Sequence, residues 1–235
     1  MNKEEVCLLI TGCVNPADDI YGLSLADADE RKRQYIDSLR YYIEKTKFKK
    51  IVFCENSMEE EDKDLKLRAL IKNKEFEWIT FQGDTKRINK QGKGYGEGEI
   101  IEYALNYSRV LSTCRCFIKI TGRLIIKNIN WLLFLSNTNC YFDVRANWID
   151  TKCYLANIDM YMKHFKDAYK KVDDRNGFFL EHSFSDVYNK SPNLYNKIPF
   201  ILNFIGQSGS TGIMYQDKKN RIYYLSLVRF VKNFL

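Results

Sequence analysis

The chain has 235 residues, 45% of them hydrophobic and 29% charged, with a formal net charge of +7. Such a composition can bury a real core and excludes an intrinsically disordered polymer. The positive balance favours anionic partners such as nucleotides, phosphates or acidic lipid head groups. Lys and Arg are spread along the chain, and no recognition-helix, zinc-finger or RNA-binding signature occurs. Nucleic acid is therefore not an expected partner.

Seven cysteines occur without a CxxC pair, several of them inside apolar runs, which fits a reducing cytoplasm. With two histidines in the whole chain, a zinc site is not expected. The N-terminal apolar run is too short for a signal peptide, and no run approaches about 20 apolar residues. A cytoplasmic location is expected, with the inner face of a membrane as a variant of it.

In chain order, residues 6–11 form an apolar run ending in Gly12 and predict a buried parallel strand. A loop follows, then a helix over about 29–45 with Tyr35, Ile36, Leu39, Tyr42 and Ile43 on one stripe. Residues 50–54 predict the second strand, 61–72 a charged helix, and 76–81 the third strand. Next comes the glycine-rich stretch GKGYGEGE, expected as a loop, then a helix over about 98–111 and a strand over 116–120. Residues 125–135 look helical and 139–144 form a further strand. Helices are expected at 158–172, 178–188 and 221–235, and a strand at 200–205.

Alternating strands and helices over 1–150 predict a Rossmann-like α/β fold: a right-handed, mostly parallel sheet flanked by helices. The remainder reads as more irregular. A single domain is expected, with a nucleotide-binding half (1–150) and a sugar- and acceptor-side half (151–235).

In such a sheet ligands bind beyond the C-terminal ends of the strands. Gly12 and Asn15, Glu55, and Gly83 with Asp84 follow the first three strands and would gather there. Acids at that edge can accept hydrogen bonds from a base or a ribose; helix capping is the plainer reading of any one of them. In GKGYGEGE, glycines let backbone N–H groups approach phosphate, and Lys93 adds charge beside Gly94. The stretch is neither a Walker A sequence nor a GxGxxG after a strand. Lys119 lies inside the apolar strand FIKIT, where a lysine needs a partner. Arg123 follows in the turn TGR and can grip phosphate in bidentate fashion. A structural ion pair with Asp143 or Glu55 is the alternative for these cations.

KGYGEGEIIEYAL, FIKITGRLIIKN, FFLEHSF and SGSTG together resemble a bacterial group of capsular and lipopolysaccharide glycosyltransferases. That group includes the noncanonical GT-A galactopyranosyltransferase domain of O-antigen polymerases. The resemblance implies a GT-A-like fold and transfer of a hexose such as galactose from a nucleotide-sugar, UDP-linked by expectation, to a growing surface glycan. GT-A enzymes carry an Asp-x-Asp that binds a divalent cation; here the corresponding turn reads KITGR. Cations can neutralise a departing diphosphate in place of a metal. The expectation is therefore no cofactor, with Lys93, Lys119 and Arg123 on the diphosphate. Asp143, Asp150 and Glu181 remain as a candidate metal set.

Glu181 or His182 in FFLEHSF could serve as general base if the mechanism inverts. Asp143 and Arg145 in FDVRANW could hold sugar hydroxyls or pair with each other. Ser208, Ser210 and Thr211 of SGSTG could cap the diphosphate, or form only a tight turn. The C-terminal stretch RIYYLSLVRFVKNFL is a basic amphipathic helix that packs on the core or lies on an anionic membrane beside a lipid-linked acceptor. A metal-dependent nucleotidyltransferase and a non-catalytic scaffold subunit of a polysaccharide assembly complex are the competing readings.

Overall fold

The computed structural model describes residues 2–16, 21, 24–145, 148–209, 211–216, 222 and 224–229. Strand β1 (Val6–Gly12) is buried along its whole length. Its side chains alternate between two cores: Cys7 and Leu9 face one, Val6, Leu8 and Ile10 the other. Burial on both faces is what makes the run continuously apolar rather than alternating. Helix α1 (Ala28–Lys45), capped by Asp27, packs Tyr35, Leu39, Tyr42 and Ile43 on the second core. Then come β2 (Lys50–Glu55), α2 (Lys63–Ile71), β3 (Glu75–Thr80), the short α3 (Thr85–Gln91) and α4 (Lys93–Tyr107). Helix α4 covers the first core with Ile100, Ile101 and Ala104.

Strand β4 (Cys116–Thr121) pairs parallel with β1, and β5 (Ile125–Ile126) follows. Next are β6 (Tyr141–Arg145), β7 (Trp148–Asn157), α5 (Ile158–His164) and α6 (Leu180–Lys190). The last described strands are β8 (Asn196–Lys197), β9 (Phe204–Gln207) and β10 (Met214–Tyr215). The main sheet has seven strands in the order β3-β2-β1-β4-β7-β6-β8. The first four are mutually parallel, β7 runs antiparallel between β4 and β6, and β8 pairs parallel with β6. The expected α/β architecture, a mostly parallel sheet flanked by helices, is what the chain adopts. Strand order reverses at β1, between β2 and β4, so the sheet has a switch point there.

Four expectations need correction. The glycine stretch is not a loop: α4 begins at Lys93 and contains it. Its glycines serve close packing, since a Cβ on Gly98 would fall 2.0 Å from the Cβ of Tyr169. Residues 125–135 are not a helix. The Ile126 N–H is taken by Tyr42 Oη at 3.0 Å and β5 pairs with β9, leaving only a 3-10 segment, Ile129–Phe134. Strand β7 was not foreseen, because Asp150, Thr151 and Lys152 interrupt its apolar pattern. The helix expected over 158–172 ends at His164 and is followed by a 3-10 turn, Ala168–Lys171. Of the C-terminal stretch, residues 222 and 224–229 are helical; the rest lies outside the described residues.

Candidate functional site

A cavity of about 680 Å³ opens at the C-terminal edge of the parallel strands. Thr11 and Gly12 from β1, Thr121 at the end of β4, Arg123 in the turn after it, and Glu97 of α4 contribute to its wall. The KITGR turn can lie against β1 because residue 122 is glycine. Its N–H donates to Thr11 O at 2.9 Å, and a Cβ there would stand 2.5 Å from that same oxygen. This close approach delivers Arg123 to the mouth of the switch point.

Arg123 is 6% exposed and donates from Nη1 to Gln34 Oε1 at 2.9 Å. Among the described residues no carboxylate forms a salt bridge with it. Burial pushes its pKa down, and nearby Arg31 adds to that. Gly209 leaves room for the same side chain: a Cβ there would stand 2.9 Å from Arg123 Nη2. Arg31 is also buried, but its guanidinium donates to the carbonyls of Cys13 and Leu25, both at 2.9 Å, and so straps the β1–α1 loop to its helix.

Lys119 is fully buried and does not line the cavity. Its ammonium donates to Glu97 Oε1 at 2.5 Å, Thr121 Oγ1 at 3.1 Å and Thr151 O at 2.8 Å, which uses all three of its donors. Its partner is thus Glu97, neither Asp143 nor Glu55. Thr151 in turn donates from Oγ1 to Glu181 Oε1 at 2.8 Å, and Glu181 faces the cavity. Lys93 also lines it; burial lowers its pKa against the opposing pull of Asp174 and Glu181.

Of the other residues singled out in the sequence, Gly12, Asn15, Gly94, Ser208 and Thr211 line the cavity. Ser210 lies outside the described residues. Glu55 is fully buried away from it and is saturated by Ser57, the Glu59 N–H and Thr80. Asp84 caps α3, accepting from Arg87 N at 3.1 Å. Asp143 stands opposite Asp150 across β6 and β7. The two acids are neutralised by Arg145 at 2.9 Å and Arg229 at 2.9 Å on Asp143, and by Lys152 at 2.5 Å on Asp150. None of Asp143, Arg145 and Asp150 lines the cavity. Among the described residues no group of three or more His, Cys, Asp or Glu is placed to hold a metal ion. His182 accepts from the Phe179 N–H on Nδ1 at 3.0 Å and packs edge-on against Trp148, closing the first turn of α6.

Sequence reasoning missed Glu97, Thr11, Thr121, Thr151, Arg31 and Asp174. One signal was available for Glu97: a lysine inside FIKIT demands a counter-charge. Reading GKGYGEGE as a loop hid the carboxylate that supplies it.

No family model matches the chain, and no curated protein matches it. Among solved structures it is similar to a mannosyltransferase from S. cerevisiae, at 8% identity and a TM-score of 0.47, over 85% of this chain and 70% of that one. It is similar to core-mannan synthase A from Aspergillus fumigatus, solved with manganese and GDP, at 7% identity and 0.46, over 97% and 84%. It is also similar to a cytidylyltransferase from Leptospira borgpetersenii, at 12% identity and 0.44, over 98% and 88%. Likeness at this level transfers no activity from any of them.

Proposed function

We propose that this chain is a glycosyltransferase that binds a nucleotide-sugar, UDP-linked in the first instance, and moves its hexose to a surface glycan or lipid-linked glycan. The observation that carries the reading is Arg123: a buried guanidinium at the switch-point cavity whose side-chain hydrogen bond goes to neutral Gln34. A cation taken out of water with no carboxylate in a salt bridge to it is costly until an anion joins it. A diphosphate has the charge and the paired oxygens that a guanidinium fork matches.

The rest of the cavity suits the sugar. Glu97 and Glu181 each bind a neighbour through Oε1, and both line the cavity. Glu181 is the acceptor-side base of this proposal, held by Thr151 and taking the hydroxyl proton if the reaction inverts. Arg123, Lys93, Ser208 and Thr211 stabilise the charge that develops on the departing diphosphate, with no divalent metal in that role. The protein would work on the cytoplasmic side of the membrane that carries the acceptor.

The test is a thermal-shift titration with UDP, GDP and UDP-hexoses, with and without EDTA. A ligand of the native state raises the melting temperature by mass action. We expect a rise with a nucleoside diphosphate that survives EDTA and needs about 30-fold more ligand in Arg123→Met. No rise with any nucleotide would sink the proposal. A rise, or turnover, that needs manganese would remove its metal-free part.

A further inference from the structure

Glu97 is held in an unusual way. Lys119 Nζ at 2.5 Å, Thr11 Oγ1 at 3.2 Å and Thr121 Oγ1 at 3.1 Å all donate to the same oxygen, Oε1. Among the described residues Oε2 accepts nothing, while the side chain keeps 22% of its exposure and lines the cavity. Three donors from two parallel strands therefore clamp one half of the carboxylate. The other half is presented to the ligand space between β1 and β4.

The clamp follows from strand geometry. Lys119 and Thr121 are two residues apart on β4 and point to one face, and Thr11 is the register partner of Thr121 on β1. That face is the one α4 covers, so a glutamate from α4 lands among them. Lys119 is fully buried with every donor used, so it can act on a ligand only through Glu97. A preorganised carboxylate oxygen accepts from hydroxyl groups and repels phosphate oxygens. Arg123, two residues beyond Thr121, does the reverse. The cavity thus has one end for an anion and another for a polyol.

We infer that Glu97 is a specificity-determining residue that accepts a hydrogen bond from a hydroxyl of the transferred sugar, with Lys119 as its positioning residue. This inference rests on the nucleotide-sugar reading above. Exchanging the clamped carboxylate for an amide keeps an oxygen for Lys119 and turns an N–H₂ toward the cavity, so Glu97→Gln removes the acceptor without orphaning the lysine. Glu97→Ala with Lys119→Met removes the pair together and avoids a lone buried ammonium.

The experiment is calorimetric titration of UDP and of a UDP-hexose, each with EDTA and with manganese, into the unaltered protein and both variants. Hydrogen bonds to charged groups are among the stronger ones, so a loss of about tenfold or more in UDP-hexose affinity is expected. UDP affinity should change less than about twofold, since only the sugar meets Glu97. Equal losses for UDP and UDP-hexose, or no loss for UDP-hexose, overturn the inference. So does manganese-dependent binding of UDP that Glu97→Gln abolishes, which makes Glu97 a metal ligand. If the unaltered protein binds UDP and every UDP-hexose equally, the sugar end fails while the anion end stands. If it binds no nucleotide, both readings fall.

Discussion

The two polar ends of α4's neighbourhood look alike in sequence and differ in structure. At the first turn of α4, Asp174 Oδ2 accepts from the Gly94 N–H at 3.0 Å, and Gln91 donates to Val172 O at 2.9 Å. The protein's own carboxylate already fills the place where a helix N-terminus attracts an anion. At the β1–β4 mouth, among the described residues, Arg123 donates to neutral Gln34 with no salt bridge and Glu97 Oε2 accepts nothing. Glycines and a helix N-terminus therefore do not mark the ligand end here. The proposed ligand end is marked instead by a buried guanidinium that forms no salt bridge among the described residues.

The largest expected effect tests the closed end. An added methyl at Gly98 would meet the Cβ of Tyr169, an atom too near the backbone to swing away. Gly98→Ala should cost about 3 kcal/mol through overpacking, read as a fall of roughly 6–12 °C in melting temperature. Unchanged melting would mean that the glycine run is free for something other than packing and that the two ends of α4 do not differ in this way.

Next comes the open end. Arg123→Met should weaken binding of a nucleoside diphosphate by about 30-fold, or about 2 kcal/mol, while melting stays level or rises. The rise has a reason: the variant removes a desolvated charge that, among the described residues, is answered by hydrogen bonding to neutral groups and by no salt bridge. If the variant unfolds and binding is lost only with the fold, Arg123 is a structural group and the anion site lies elsewhere.

The fold class was readable because apolar runs separated by polar turns alternate with helical stretches, which predicts a mostly parallel sheet; the order in which the strands pair was not. The strand ends were readable too: Gly12, Asn15, Ser208 and Thr211 do line one cavity. What the sequence hid were partnerships across distance. Lys119 and Glu97 are 22 positions apart on different elements. Glu55 looks like a ligand-binding acid at a strand end, yet its own loop satisfies it. FDVRANW looks like a sugar site, yet the unforeseen β7 sets Asp150 opposite Asp143 and draws Arg145 and Lys152 into ion pairs. The Lys119 and FDVRANW misses come from helix-to-strand and antiparallel pairing that a linear pattern does not encode, and the Glu55 miss from a loop that folds back onto its own strand end.

A smaller effect separates the two neighbours Glu181 and His182. His182 Nδ1 is occupied by the Phe179 N–H, so His182→Ala should cost about 1 kcal/mol of stability as a lost helix cap. Turnover per folded molecule should persist. Glu181→Gln should leave melting nearly unchanged and remove most turnover. Reversed outcomes would move the base to the histidine.

The smallest effect concerns Asp174 itself. Burial pushes its pKa up, against the pull of the Gly94 N–H and of Lys93. In the folded protein this carboxyl therefore holds its proton to higher pH than in the unfolded chain. Its contribution to stability is complete below the ordinary carboxylate range and is lost as pH rises through the folded value. Asp174→Asn keeps an oxygen for Gly94 and cannot titrate. Its stability relative to the unaltered protein should rise as pH climbs above the ordinary carboxylate range, in urea unfolding at several pH values. A relative fall would mean that the helix N-terminus and Lys93 outweigh burial and make the closed end a true anion site, occupied by the chain's own side chain.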